Sequence, residues 1–134
     1  MWLKRSAPKK NKRRFPRIEI PFKRARAEIR RKLNGETTAS RVFLSDISIT
    51  GVGLFAEAPL PSGEHVTLTV LADEPLVIRG VVVWCSPYTL NMKILSTESF
   101  TYRMGIRFEF NSSQEVYEMM DYCTRLRTPA PPAN

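Results

Sequence analysis

The feature that most restricts the fold is the way apolar residues are parcelled into short, extended runs, each closed by turn formers. Val66, Leu68 and Val70 alternate with polar neighbours, the pattern of a strand with one buried face. Val77, Val81, Val82 and Val83 give the β-branched density of a central strand. About six such runs recur roughly every 8 to 15 residues, a spacing that belongs to all-β sandwiches and barrels. Closing the sheet removes exposed strand edges, so the expected fold is all-β: a small six-stranded antiparallel β-barrel with a C-terminal α-helix.

In chain order, Ile20, Phe22, Ala25, Ala27 and Ile29 read as one strand from Ile18 to Lys32, with an irregularity near Lys23-Arg24. Asn34-Gly35 is a strong two-residue hairpin signal, because a type I′ turn needs positive φ at both central positions. The return strand, Thr37 to Ser45, delivers Asp46 at its end. Val52 to Ala56 follows, closed by Pro59, Pro61, Ser62 and Gly63, and then Glu64 to Leu71. Asp73-Glu74-Pro75 separates that run from Leu76 to Trp84. Residues 86–100 make a connection of about 15 residues, long enough to predict a short hairpin over Leu90 to Leu95. Tyr102 to Phe110 is the last strand.

Ser112 as N-cap with Glu115 three residues on forms a capping box and opens the helix. Val116, Met119, Met120, Cys123 and Leu126 then recur at helical spacing, a stripe expected to pack on the barrel. Pro129, Pro131 and Pro132 end it.

The charge is lopsided. Residues 1 to 32 hold fourteen Lys and Arg against two Glu, a net +12, while the remainder holds seven against eleven Asp and Glu, a net −4, giving the +8 of the 134-residue chain. A size of this order is one domain. The expected division is a flexible basic tail over residues 1–11, a barrel domain over 12–127, and a Pro-rich tail over 128–134. Cys85 and Cys123 lie in apolar surroundings without CxxC spacing, and His65 is the single histidine, so neither a metal site nor a disulfide is expected. The basic start leads into Lys and Pro rather than an apolar run, and no stretch approaches the ~20 apolar residues of a membrane span, so a cytoplasmic location is expected.

Two short segments carry chemistry. Arg13-Arg14-Phe15-Pro16-Arg17 sets two guanidinium forks four residues apart, and Pro16 disfavours helix at Phe15, so the spacing sits in extended backbone. Such an arm grips an anion, with Phe15 placed to anchor it on the barrel or to stack on a base, anchoring being the expectation. Asp46-Ile47-Ser48-Ile49-Thr50-Gly51 adds a fixed acceptor, a small hydroxyl, and a glycine suited to a positive φ or to close approach of a ligand. Arginines bind phosphate and the O6/N7 edge of guanine, and a carboxylate accepts from guanine's N1 and N2, so the two segments together describe a guanine nucleotide site.

On these residues the chain resembles the PilZ domains, bacterial receptors for cyclic di-GMP whose signature is RxxxR followed by D/NxSxxG. Arg13 and Arg17 fill the first pattern, and Asp46, Ser48 and Gly51 the second. Val82-Val83-Trp84 and the segment Tyr102 to Phe108 extend the resemblance over residues 12–127. It implies a barrel that binds cyclic di-GMP on its outer surface through Lys12, Arg13, Arg14, Arg17, Asp46, Ser48 and Gly51. It adds Trp84, since PilZ domains often set an aromatic or apolar residue of this strand beside the ligand. In the family an arginine just before RxxxR tends to accompany a stacked ligand pair; Lys12 keeps the charge there without the planar fork, and a pair is the expectation.

The implied role is a non-enzymatic receptor and adaptor that repositions its N-terminal arm on binding and signals through a protein partner. Two alternatives stay open: a barrel that binds single-stranded nucleic acid through aromatic platforms, and a PilZ-type interaction module without ligand. Phe15 and Phe22 are the aromatics interleaved with Lys and Arg, and both signatures are complete, which disfavours each in turn. No Cys/His, Ser/His/Asp or paired-carboxylate set points to an enzyme.

Overall fold

The computed structural model describes residues 16–20, 26–71, 75–88 and 101–127. Within them the strands are β1 (Ile18–Glu19), β2 (Arg26–Leu33), β3 (Glu36–Ile47), β4 (Gly51–Ala56), β5 (His65–Val70), β6 (Leu76–Pro87) and β7 (Tyr102–Phe108), followed by helix α1 (Ser113–Arg127). Six of them close on themselves in the order β3-β2-β5-β6-β7-β4, with β4 returning to β3. Every neighbouring pair is antiparallel. This is the expected six-stranded barrel with a C-terminal helix. The two-residue β1 lies outside the ring, pairing Ile18 with Ile47 and Glu19 with Asp46 on the edge of β3 that β2 covers further along.

The turn at Asn34-Gly35 has φ of 55° and 83°, the left-handed values a type I′ hairpin requires. Strands β3 and β6 run longer than their apolar runs, because ladder pairing continues through exposed residues such as Thr37, Thr38 and Ser86. The expected single strand over Ile18 to Lys32 is two strands, β1 and β2, and the last strand ends at Phe108 rather than Phe110. The irregularity near Lys23-Arg24, the hairpin over Leu90 to Leu95, and both terminal tails lie outside the described residues.

Inward-facing side chains from all six ring strands form one core, with Ile29, Ile47, Leu54, Leu68, Val82 and Met104 almost wholly removed from water. Helix α1 adds Met119 and Cys123 to it. The capping box forms: Ser112 Oγ accepts from Glu115 N at 3.3 Å, and Glu115 Oε1 accepts from Asn111 N at 2.7 Å. The expected stripe needs one correction, because Met120 is 41% exposed. Steps of three and four from Val116 through Met119 and Cys123 to Leu126 keep those side chains on one face, whereas Met120 follows Met119 by a turn of about 100° and points off it. Cys85 and Cys123 are not joined in a disulfide. No helix among the described residues is long and apolar enough to cross a membrane.

Two register shifts re-aim side chains on the barrel wall. In β3, Leu44 pairs with Leu54 but Asp46 with Gly53, so Ser45 is surplus; in β6, Val82 pairs with Ile106 but Trp84 with Gly105, so Val83 is surplus. A β-bulge of this kind breaks the strict inside-outside alternation of a strand. Without the first, Asp46 would follow Val42 and Leu44 into the core and Ile47 would face water. With it, Ile47 is fully buried and Asp46 sits on the outer wall. The second bulge likewise turns Trp84 outward, where it is 43% exposed.

Candidate functional site on the barrel wall

The residues that the two bulges turn outward end opposite sides of one transverse row. Asp46 pairs with Gly53, Gly53 with Gly105, and Gly105 with Trp84, so four strands present a carboxylate, two glycines and an indole on the outside of the barrel. The glycines let the flanking side chains lie flat. A Cβ on Gly53 would come within 3.2 Å of Asp46 Oδ1, and one on Gly105 would overlap Trp84 Nε1. Asp46 and Trp84 therefore fold towards each other over neighbouring backbone positions, a placement that any side chain at 53 or 105 would disturb.

Strand β1 brings the arm to this row. Its ladder to β3, extended by a bond from Ile20 N to Ser45 O at 3.1 Å, sets Arg17 beside the end of β3. Arg17 Nη1 donates to Asp46 Oδ1 at 2.5 Å, with both side chains half-buried. One residue of each signature segment thus meets the other. Lys12, Arg13 and Arg14 of the arm, and Phe15, lie outside the described residues.

Ser48 is the buried polar residue of the site, 3% exposed, and its partners are the turn itself. Ser48 N donates to Gly51 O at 2.8 Å, and Ser48 Oγ accepts from Thr50 N at 3.3 Å. Its hydroxyl holds the β3–β4 reversal, the use serine most often has in such turns. Gly51 needs its missing side chain for a reason other than positive φ, which among the described glycines occurs at Gly35 and Gly63. A Cβ at 51 would sit 2.5 Å from the carbonyl oxygen of Ile106 on β7. From sequence, Gly51 is suited to a positive φ or to the approach of a ligand; what comes close to it is the barrel's own backbone.

Beside the Asp46 row runs a second outward row, Phe43–Phe55–Arg103–Ser86. The Arg103 guanidinium carbon lies 5.2 Å from the Phe55 ring centroid and 5.7 Å from that of Tyr88, and the two rings are themselves 5.2 Å apart. Arg103 Nη2 donates to Ser45 Oγ at 3.5 Å, and Ser45 Oγ donates to Asp46 Oδ2 at 3.4 Å. Sequence reasoning does not assign Gly53, Gly105, Phe55 or Arg103 to the site. The glycines have a readable signal, since an isolated glycine in a strand marks close approach of another group; Arg103 reads only weakly from sequence, because it comes near Ser45 through the pairing of β7 with β4, a long-range contact.

The family model of the PilZ domain matches residues 11–125. A comparison with curated protein sequences returned no significant match. Among solved structures, the PilZ domain of YcgR from Escherichia coli, determined with c-di-GMP, is 19% identical, with a TM-score of 0.66 over 85% of this chain and 90% of that one. The K. pneumonia MrkH–c-di-GMP complex is 21% identical, with a TM-score of 0.65 over 85% of this chain and 52% of that one, so this chain spans about half of MrkH. The Bacillus subtilis inhibitor of motility MotI is 17% identical, with a TM-score of 0.51 over 84% of this chain and 50% of that one. At these identities the structures share a fold. The family match, covering both signature segments and every ring strand, identifies the chain as a member of the PilZ domain family.

Proposed function

We propose that this chain is a non-enzymatic receptor for cyclic di-GMP. The observation that carries the reading is the 2.5 Å contact between Arg17 and Asp46, one residue from each signature segment, on the outer wall of the barrel. The c-di-GMP held by the similar YcgR and MrkH structures supports it. In this reading a guanine gives its N1 and N2 hydrogens to Asp46, which releases Arg17 to a phosphate or to the O6/N7 edge. The exchange is balanced, because guanine's donors replace Arg17 at Asp46 while the phosphate or base edge replaces Asp46 at Arg17. Lys12, Arg13 and Arg14 add charge on the same arm, Ser48 and Gly51 hold the turn that presents Asp46, and Trp84 flanks the base. Charge on Lys12 favours a stacked pair of ligands.

Since Arg17 changes partner on binding, the arm moves with it, and that movement signals to a protein partner. Titration calorimetry with cyclic di-GMP tests the binding and its stoichiometry. Arg17→Ala and Asp46→Ala each weaken affinity by about 10- to 100-fold, the worth of a charged hydrogen bond, and cyclic di-AMP binds far more weakly than cyclic di-GMP. Equal affinity for both dinucleotides, or tighter binding of a mixed single-stranded oligonucleotide, would overturn the reading. Tryptic cleavage after Arg13, Arg14 and Arg17 that slows at saturating ligand, while cleavage after Lys4 and Lys9 stays fast, is the result expected of a moving arm; uniform protection refutes it.

A further inference from the structure

Arg103 is in an uncommon position for an arginine on a barrel wall. It is half-buried, its Nε has no hydrogen-bond partner and no exposure, and it forms no ion pair with a carboxylate among the described residues. Arginine carries about 2 kcal/mol of side-chain entropy, so holding one still without a counter-ion has to be offset by its surroundings. Here the surroundings are two aromatic rings in mutual contact, Phe55 and Tyr88, which attract the cation through their faces and fix its plane. Among the described residues the guanidinium donates one hydrogen bond, at 3.5 Å, to Ser45, the surplus residue of the β3 bulge, whose hydroxyl bonds in turn to Asp46. Asp46 is therefore bracketed by two cations, Arg17 directly and Arg103 through one hydroxyl.

We propose that Arg103 is a third ligand-binding cation of this site, fixed in advance, which offers its guanidinium fork to a pair of acceptor oxygens or nitrogens on the dinucleotide bound at Asp46. The inference rests on the cyclic di-GMP reading. The fork suits a phosphate or the O6/N7 edge of guanine equally, since both present two acceptors in a plane. It lies in the row next to Asp46, so a base held by Asp46 over Gly53 and Gly105 passes beside it. Unlike Arg17, it needs no conformational search before it binds.

The test is titration calorimetry of the full chain with cyclic di-GMP, with thermal unfolding of each variant measured alongside. Arg103→Gln, which keeps most of the stem but removes charge and fork, should bind about 10- to 100-fold more weakly at a melting temperature close to that of the parent protein. Arg103→Lys, the variant to rely on if Arg103→Gln fails to fold, keeps the charge and should still lose most of the affinity, because Lys is a point charge without a planar fork. A cyclic di-GMP analogue with 7-deazaguanine bases, which lacks N7, separates the two acceptor sources: Arg103→Gln should weaken its binding by the full factor if the contact is to phosphate, and by much less if it is to the O6/N7 edge. Unchanged affinity in Arg103→Gln, or in Arg103→Lys where that is the folded variant, overturns the inference while the receptor reading stands. If the parent protein does not bind cyclic di-GMP at all, both fall together.

Discussion

Gly51 lets β4 pack against β7, and replacing it by alanine should destabilise the fold. The added methyl would lie 2.5 Å from the Ile106 carbonyl oxygen, inside the 3.0 Å that real Cβ atoms essentially never cross, and the obstacle is backbone that cannot rotate away. Relief requires the start of β4 to part from β7. That endangers the bond from Phe108 N to Thr50 O at 2.9 Å and the one from Ser48 N to Gly51 O at 2.8 Å. Overpacking of a tight site costs about 1–3 kcal/mol, and weakening one of those hydrogen bonds about 1 kcal/mol more, so a loss of about 2–4 kcal/mol is expected. For a domain near 100 residues this lowers the melting temperature by about 10–20 °C. Gly105→Ala is the control: its methyl would strike the Trp84 indole, a half-exposed side chain free to turn outward, and stability should fall by about 1 kcal/mol or less. Thermal unfolding followed by far-ultraviolet circular dichroism reads both. A Gly51→Ala melting temperature within about 2 °C of the parent's would refute the reasoning and return Gly51 to the role of making room for ligand.

Burial and pairing set two further outcomes. Met119→Ala should cost about 2–5 kcal/mol in chemical denaturation, because Met119 is 1% exposed within the core, whereas Met120→Ala, at an exposed position, should be nearly neutral; equal losses would mean that α1 seats differently. Arg31 and Glu64 form a two-pronged ion pair, Arg31 Nη2 donating to Glu64 Oε1 at 2.9 Å, with both side chains only about a fifth exposed. Glu64→Ala should therefore destabilise by about 1–3 kcal/mol by leaving Arg31 unpaired, while replacing both residues by Met should recover most of it; a double variant as unstable as the single one would contradict this account.

The parts of the fold legible in the sequence are those set by local rules. Asn34-Gly35 turns where its φ preference demands, Val66, Leu68 and Val70 alternate into the core, and Ser112 with Glu115 opens the helix. The break between β1 and β2 is blurred because Ile18 to Lys32 has only Pro21 as a turn former among its apolar residues. At the site, Arg17 and Asp46 are readable as a pair from their chemistry, and they meet. What escapes is phase. Val42 and Leu44 are followed by Ile47, a step of three in a period of two that marks the first bulge, but in Val81-Val82-Val83 every residue is apolar and the second bulge leaves no trace. Trp84 consequently reads as a core or rim residue first and a surface one second. Arg103 depends on β7 lying next to β4, a long-range pairing that no local pattern encodes.

The bulges also decide where this chain can change in length. Each is a residue that the ladder does not count, so dropping Ser45 from β3 leaves Leu44 facing in, Asp46 out and Ile47 in, and dropping Val83 does the same for Val82, Trp84 and Cys85. Strands β4 and β7 between them hold no such spare residue: every position from Gly51 to Ala56 has a partner from Tyr102 to Arg107. Gain or loss of one residue there exchanges the inside and outside of everything beyond it. β3 and β6 can thus each lose that one residue without turning the wall inside out, and the glycine-bearing pair between them can lose none.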